Sequence, residues 1–136
     1  MQKVFNYIDG ELREPLSGAF LDNFEPATGN VYSLSPDSGK EDVDVAVDAA
    51  VRAFPEWSAL GAEKRSAILL QIADRIDQDA ASLAAAESQD NGKTIAAAMT
   101  LDIPRASANI RFFATAILHA STDAHLTDSH AVNYTH

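Results

Sequence analysis

The sequence predicts a mainly α-helical unit carrying a small N-terminal β ribbon, an α+β arrangement, and three observations carry that reading. Short strand-like segments separated by turn residues fill positions 1–36. From residue 38 onward the apolar residues recur at helical spacing. No stretch fits the glycine-rich fingerprints of a nucleotide-binding βαβ core.

The ribbon comes first. Val4, Tyr7 and Ile8 lead into Asp9-Gly10 and then Glu11-Leu12-Arg13, the pattern of a hairpin with an Asp-Gly turn. A second pair runs from Phe20 to Phe24 and from Val31 to Leu34, with a turn over Pro26–Asn30. Two strands this short need a surface to lie on.

The helices follow. Val43, Ala46, Val47, Ala50 and Phe54 form one apolar stripe, with Glu41, Asp42, Asp44, Asp48 and Arg52 elsewhere. Ser38 or Gly39 can cap this helix, Glu41 and Asp42 suit its positive end, and Pro55 is expected to stop it. A second helix starts at Glu63, carries Ile68, Leu69, Ile72, Ile76 and Leu83, and continues through the Ala80–Ala86 run. Asn91-Gly92 is its stop, with Gly92 suited to the left-handed conformation. Thr94–Met99 forms another short helix. Ile103-Pro104 opens a last one, with Ile110, Phe113, Ala114 and Ile117 on its apolar face. The tail after His119 is polar until Val132, where a strand begins. One unit therefore comprises hairpins over 1–36, helices over 38–119, and a loop with the start of a strand over 120–136.

Composition narrows the functions. With 136 residues the chain is the size of one domain, and a hydrophobic fraction of 46% against a charged fraction of 22% suits a packed core. Twenty acidic residues against ten basic ones give a formal charge of -10, which disfavours nucleic acid and anionic membranes as partners. No apolar run can span a bilayer, and Asp9, Glu11 and Glu14 interrupt any signal-peptide pattern, so the expected location is cytoplasmic. There is no cysteine, hence no disulfide, thiolate metal site or cysteine nucleophile within this sequence.

Local chemistry is sparse. His119, His125, His130 and His136 are not spaced as a helical ligand pair, which favours a solvated loop over a metal site. Asn91-Gly92-Lys93-Thr94 ends like a phosphate loop but lacks the upstream glycine, so a helix stop followed by a helix start is the better reading. Asp90 stands at a helix terminus, where capping a turn is favoured over binding a cation. Arg105 falls near an expected helix start, where the dipole does not help a cation, and this hints at an anionic partner. Arg111, six residues on and on another face, is read as covering apolar surface with its stem.

Several segments in order resemble the aldehyde dehydrogenase family. Tyr7-Ile8-Asp9-Gly10-Glu11 is similar to its opening strand and turn, and Glu25-Pro26-Ala27-Thr28-Gly29 to its Asn-Pro-Ala-Thr-Gly turn, with glutamate in place of asparagine. Ala49-Ala50, then Ala53-Phe54-Pro55-Glu56-Trp57, Glu63-Lys64-Arg65 and Glu87-Ser88-Gln89-Asp90-Asn91-Gly92-Lys93 resemble later hallmarks. Asp102-Ile103-Pro104-Arg105 followed by Asn109-Ile110-Arg111-Phe112-Phe113-Ala114 looks like the 2-hydroxymuconate and 2-aminomuconate semialdehyde dehydrogenase branch.

That resemblance implies an N-terminal segment of an NAD(P)-dependent enzyme that oxidises a carboxylated semialdehyde to the acid. In the family the catalytic cysteine, the general-base glutamate and the cofactor-binding sheet come after the position matching His136. The segment alone is thus expected to hold no catalytic or cofactor-binding residue, to bind no NAD or NADP, and to be inactive. Arg105 is implied to grip a substrate carboxylate. Asp90 with the Asn23 and Phe24 carbonyls is implied as a monovalent cation site. Asn133-Tyr134-Thr135-His136 resembles the start of an oligomerisation strand, so a homo-oligomer is expected. The resemblance also implies that the helices' apolar stripes, which pack on the cofactor sheet in the family, are exposed here and promote self-association. The alternative is a stand-alone, non-catalytic helical module that self-associates.

Overall fold

The computed structural model describes residues 1–120 and, beyond them, the strands Asp123–Leu126 and Ala131–Tyr134. The mainly α fold with a small ribbon is as expected, and the described residues contain no cofactor-binding parallel sheet. Both expected hairpins form. Strands β2 (Asn6–Ile8) and β3 (Glu11–Arg13) pair antiparallel, with Ile8 opposite Glu11. Asp9 and Gly10 have φ of 57° and 80°, so both central residues adopt the left-handed region that a two-residue I′ turn requires. Strands β4 (Phe20–Glu25) and β5 (Asn30–Pro36) form the second hairpin, with a register shift at Asn23/Phe24.

Two strands were not expected. Gln2–Lys3 (β1) lies parallel to β5, and Val4 N–H donates to the Leu34 carbonyl at 2.8 Å. The chain start therefore joins the second hairpin in a sheet of order β1-β5-β4, and β2–β3 stands apart. At the other end, Asp123–Leu126 (β6), read as loop, pairs antiparallel with Ala131–Tyr134 (β7), the strand expected from Val132.

Helix α1 (Lys40–Ala59) runs through Pro55 instead of ending there. Proline removes one hydrogen bond, but the turn beyond it restores its own: Ser58 Oγ donates to the Pro55 carbonyl and Leu60 N–H to Glu56 and Trp57. At the N-terminus Gly39 is the cap residue, and Asp42 Oδ2 accepts its N–H at 2.9 Å. Asp42 Oδ1 accepts from Leu16 N–H, so this buried carboxylate also fastens the loop after β3.

The expected long helix from Glu63 is two helices. Asp79, with φ -94° and ψ 10°, separates α2 (Ala62–Gln78) from α3 (Ala80–Asn91), whose C-terminal Gly92 is left-handed as expected. Asp79 does two jobs here: its carboxylate pairs with Arg75, and its carbonyl accepts from Ser82 Oγ and Leu83 N–H.

The last two expected helices are instead one helical run. Helix α4 (Ile95–Ala97) passes into a π turn (Ala98–Asp102) and then α5 (Ile103–Ala116), with αR backbone at each junction. Pro104 has no N–H to give the Thr100 carbonyl, so an ordinary α turn would lose its bond there. The wider turn closes one residue earlier, by Ile103 N–H to the Ala98 carbonyl.

Small residues form the core. Ser66 and Ala73 of α2 are buried, as are Ser107 and Ala114 of α5, each pair seven residues apart and so on one helix face. Ala84 of α3 and Ala98 in the π turn are also fully buried. Of the large stripe residues, Val43 is 56% exposed, Phe54 63% and Phe113 67%, as the resemblance implied, while Leu69, Ile76, Ile110 and Ile117 are half-buried. The stripes therefore do not mark the internal core, and Phe113 in particular leaves that role to its neighbour Ala114.

Ala73→Leu adds bulk where the helices meet most closely. It should destabilise the fold by about 1–3 kcal/mol. A thermal or urea melt showing no loss of stability would contradict the close-packed seam.

Candidate functional site

The two turns that resemble family hallmarks meet in space. In the αL turn after α3, a Cβ on Gly92 would lie 3.1 Å from Pro26 Cβ, in the turn between β4 and β5. Beside this contact, Asp90 Oδ1 accepts from Tyr32 OH at 2.6 Å and from Asn23 Nδ2 at 2.9 Å. Asn23 Nδ2 also reaches Tyr32 OH (3.0 Å) and the buried Ser33 Oγ (3.2 Å). Asp90 therefore does not cap a turn, the role favoured from its position. It is exposed and ties the helices to the ribbon through partners distant in sequence, for which Tyr32 carried no local signal.

The hydrogen bond from Tyr32, and then that from Asn23, hold the Asp90 carboxyl below the usual carboxylate range. The bond to Asp90 holds the Tyr32 phenol above its ordinary value. For a monovalent cation, Oδ1 is already engaged by two donors, which leaves Oδ2 and the carbonyls at the Asn23/Phe24 bulge. Among the described residues no group of three or more His, Asp or Glu side chains converges as a metal site. His119 is exposed; the side chains of His125, His130 and His136 lie outside the described residues.

Arg105 is exposed on α5, with no hydrogen-bond or ion-pair partner among the described residues. It does not sit at a helix start, however. The helical run begins at Ile95, so Arg105 lies well past the first turn, where the dipole effect fades. The dipole therefore does not act on Arg105, whose guanidinium is unpaired among the described residues.

Arg111, by contrast, is engaged. It bonds Asp74 at 2.7 Å and Asp77, both on α2, and so clamps α5 to α2. Ser107 and Arg111 hold the Asp77 carboxyl below the usual range. The Ser107 hydroxyl has one proton and also faces the Pro104 carbonyl at 3.2 Å, so Arg111 is the constant partner. Nothing local in the sequence pairs residues 34 apart. Lys93 binds Asp102 through both carboxylate oxygens at 2.9 Å, and Thr94 caps α4 by accepting from Ala97 N–H. The phosphate-loop look-alike is a helix stop and start, and its lysine is already paired.

Two shallow hollows, of about 220 and 410 Å³, lie between the β2–β3 hairpin and α1, lined by Tyr7, Ile8 and Ala46 among others. Neither includes Arg105. No described helix is long and apolar enough to cross a membrane.

Residues 14–136 match the aldehyde dehydrogenase family, and the chain belongs to that family. Within it, the chain is 48% identical to 2-aminomuconic semialdehyde dehydrogenase of Bos taurus over 118 residues, 87% of this chain and 24% of that protein. The Homo sapiens protein of the same name is 46% identical over the same shares. Among solved structures, PnpE in complex with nicotinamide adenine dinucleotide superposes with a TM-score of 0.88 at 37% identity, over 95% of this chain and 26% of that one. PnpE from Pseudomonas sp. WBC-3 gives the same values. The chain spans about a quarter of the length of these relatives.

The Tyr32–Asp90 pair has a pH signature. Asp90 is held low, so its contribution to stability is present above the ordinary carboxylate pKa and lost as pH falls below about 4. Tyr32 is held high, so its contribution is present below about pH 10 and lost as pH rises through the raised value. In Tyr32→Phe, NMR titration of Asp90 should find its pKa moved up toward the ordinary value. An unmoved pKa would show that the phenol is not the cause.

Proposed function

We propose that this segment serves a dehydrogenase that oxidises a carboxylated semialdehyde to the acid with NAD(P), and that Arg105 grips the substrate carboxylate. The observation that carries this is the exposed guanidinium of Arg105, unpaired among the described residues, within Asp102-Ile103-Pro104-Arg105. Two nearby cations are engaged: Arg111 on α5 by Asp74 and Asp77, and Lys93, before α4, by Asp102. A planar, always-charged fork left free suits bidentate capture of a carboxylate. The relatives named as 2-aminomuconic semialdehyde dehydrogenases support a substrate of that class.

Oxidation of an aldehyde by this family's route needs a thiolate nucleophile, and the sequence contains no cysteine. In the one loop resembling a phosphate cradle the lysine is paired with Asp102, which supports the reading that this segment is not what holds the dinucleotide. We therefore assign this chain a substrate-positioning part and expect no turnover from it alone. In a complete dehydrogenase carrying the segment, Arg105→Ala should raise KM for a carboxylated semialdehyde about tenfold or more, and change KM for a neutral aldehyde much less. Equal effects on both substrates would sink the carboxylate role.

A monovalent cation held by Asp90 Oδ2 and the Asn23 and Phe24 carbonyls is a separate proposal. Sodium or potassium chloride should then raise the melting temperature above that in choline chloride of equal ionic strength, and Asp90→Asn should remove the difference. Equal melting in all three salts would dismiss the site.

A further inference from the structure

The π turn decides where Arg105 points. Each residue of an α-helix advances the chain by about 100° around the axis. A π turn takes in one extra residue, so the residues after it are rotated by about that angle from where an unbroken α-helix would carry them. Arg105 is the third residue beyond this turn. Whether the segment closes as a π or an α turn therefore sets which side of the helix presents the guanidinium.

Three features hold the turn. Ala98, at its start, is fully buried. Pro104, just after it, removes the bond that an α turn would use. Asp102, its last residue, is gripped by Lys93 through both oxygens at 2.9 Å.

Lys93 is itself fixed at its base. Its N–H donates to Asn91 Oδ1 at 2.9 Å, its carbonyl accepts from Ser88 Oγ, and Gly92 beside it is left-handed. Glu87 Oε1 lies 4.0 Å from its Nζ and helps hold the ammonium over the end of α3. The pair thus connects the α3 terminus, which is anchored to the ribbon, with the residue that completes the turn.

We propose that Lys93 is a positioning residue for Arg105: its ion pair with Asp102 latches the π turn and so sets the direction of the Arg105 guanidinium. This rests on the reading that Arg105 takes a carboxylate. Lys93 and Asp102 touch no substrate in this scheme.

The test has two arms, using Lys93→Met, Asp102→Asn and the exchanged pair Lys93→Asp with Asp102→Lys. In the 136-residue chain, amide hydrogen exchange is followed at positions 98–103 against the α2 amides as an internal standard. Both single variants should speed exchange in the turn by about two- to fivefold, the scale of a partly exposed ion pair, and the exchanged pair should restore it. In a complete dehydrogenase carrying the segment, the same single variants should raise KM for a carboxylated semialdehyde over that for a neutral aldehyde, with the exchanged pair again restoring the ratio.

Unchanged exchange in the turn would overturn the latch whatever Arg105 does. Faster exchange with no selective KM effect, while Arg105→Ala shows one, would overturn the positioning role and leave the carboxylate reading intact. If Arg105→Ala itself proves unselective, the carboxylate reading fails and takes this proposal with it.

Discussion

Close approach of α2 and α5 through small side chains is the constraint on which the rest of the structure depends. Ser66 and Ala73 face Ser107 and Ala114, and residues of that size let two helix backbones come together without a layer of leucines between them. Two consequences follow. The interface buries little apolar volume, so it draws on a polar clamp, Arg111 against Asp74 and Asp77, to fix the helices along their length. Several large apolar residues, having no room in the seam, are turned outward: Val43 and Phe54 on α1, Ile72 on α2, Phe112 and Phe113 on α5.

The ribbon is held by a different kind of joint. Its strands are short, and among their residues only Ile8 and Ser33 are buried. What fastens it is a set of directed contacts: Asp90 to Tyr32 and Asn23, Gly92 against Pro26, and Asp42 to the loop before β4. The contacts between side chains need a particular residue at each end, whereas Asp42 accepts from the Leu16 backbone. A glycine is required at 92 twice over, by its φ of 77° and by the nearness of Pro26. Two of the segments that resemble the family, those around Pro26 and Gly92, are thus the two halves of one contact, which accounts physically for their occurring together in this chain.

Much of the fold was legible because it is local. Asp9-Gly10 specifies its turn through two positive φ values, and Asn91-Gly92 ends its helix through one. The failures share a cause as well. Pro55 and Pro104 were read as boundaries, yet what a proline does depends on whether neighbouring groups can replace the lost bond. After Pro55 the following turn supplies its own bonds, and before Pro104 the chain widens into a π turn. At Asp79 the backbone leaves the helical region, with φ -94° and ψ 10°, in a helix whose alanine-rich sequence promised continuity. At the candidate site Arg105 could be singled out from sequence, but Tyr32, Lys93 with Asp102, and the acidic partners of Arg111 could not. Their pairings span 9 to 58 residues, and no periodicity encodes them.

For Arg105 the original reason for proposing an anionic ligand falls, and a different observation supports the proposal. A cation in the first turn of a helix would face the positive end of the dipole, and that was the sequence argument for an anionic ligand. The structure moves the helix start back to Ile95, so the penalty is absent and the argument with it. What replaces it is a contrast among neighbours. Arg111 and Lys93 are each satisfied by carboxylates of this chain, and in a protein with twice as many acidic as basic residues an unpaired arginine is not for want of internal partners. The π turn and its lysine latch set Arg105 on a face where no carboxylate of the described residues meets it. An arginine kept apart from so many available carboxylates is what supports the proposed capture of one that the chain does not supply.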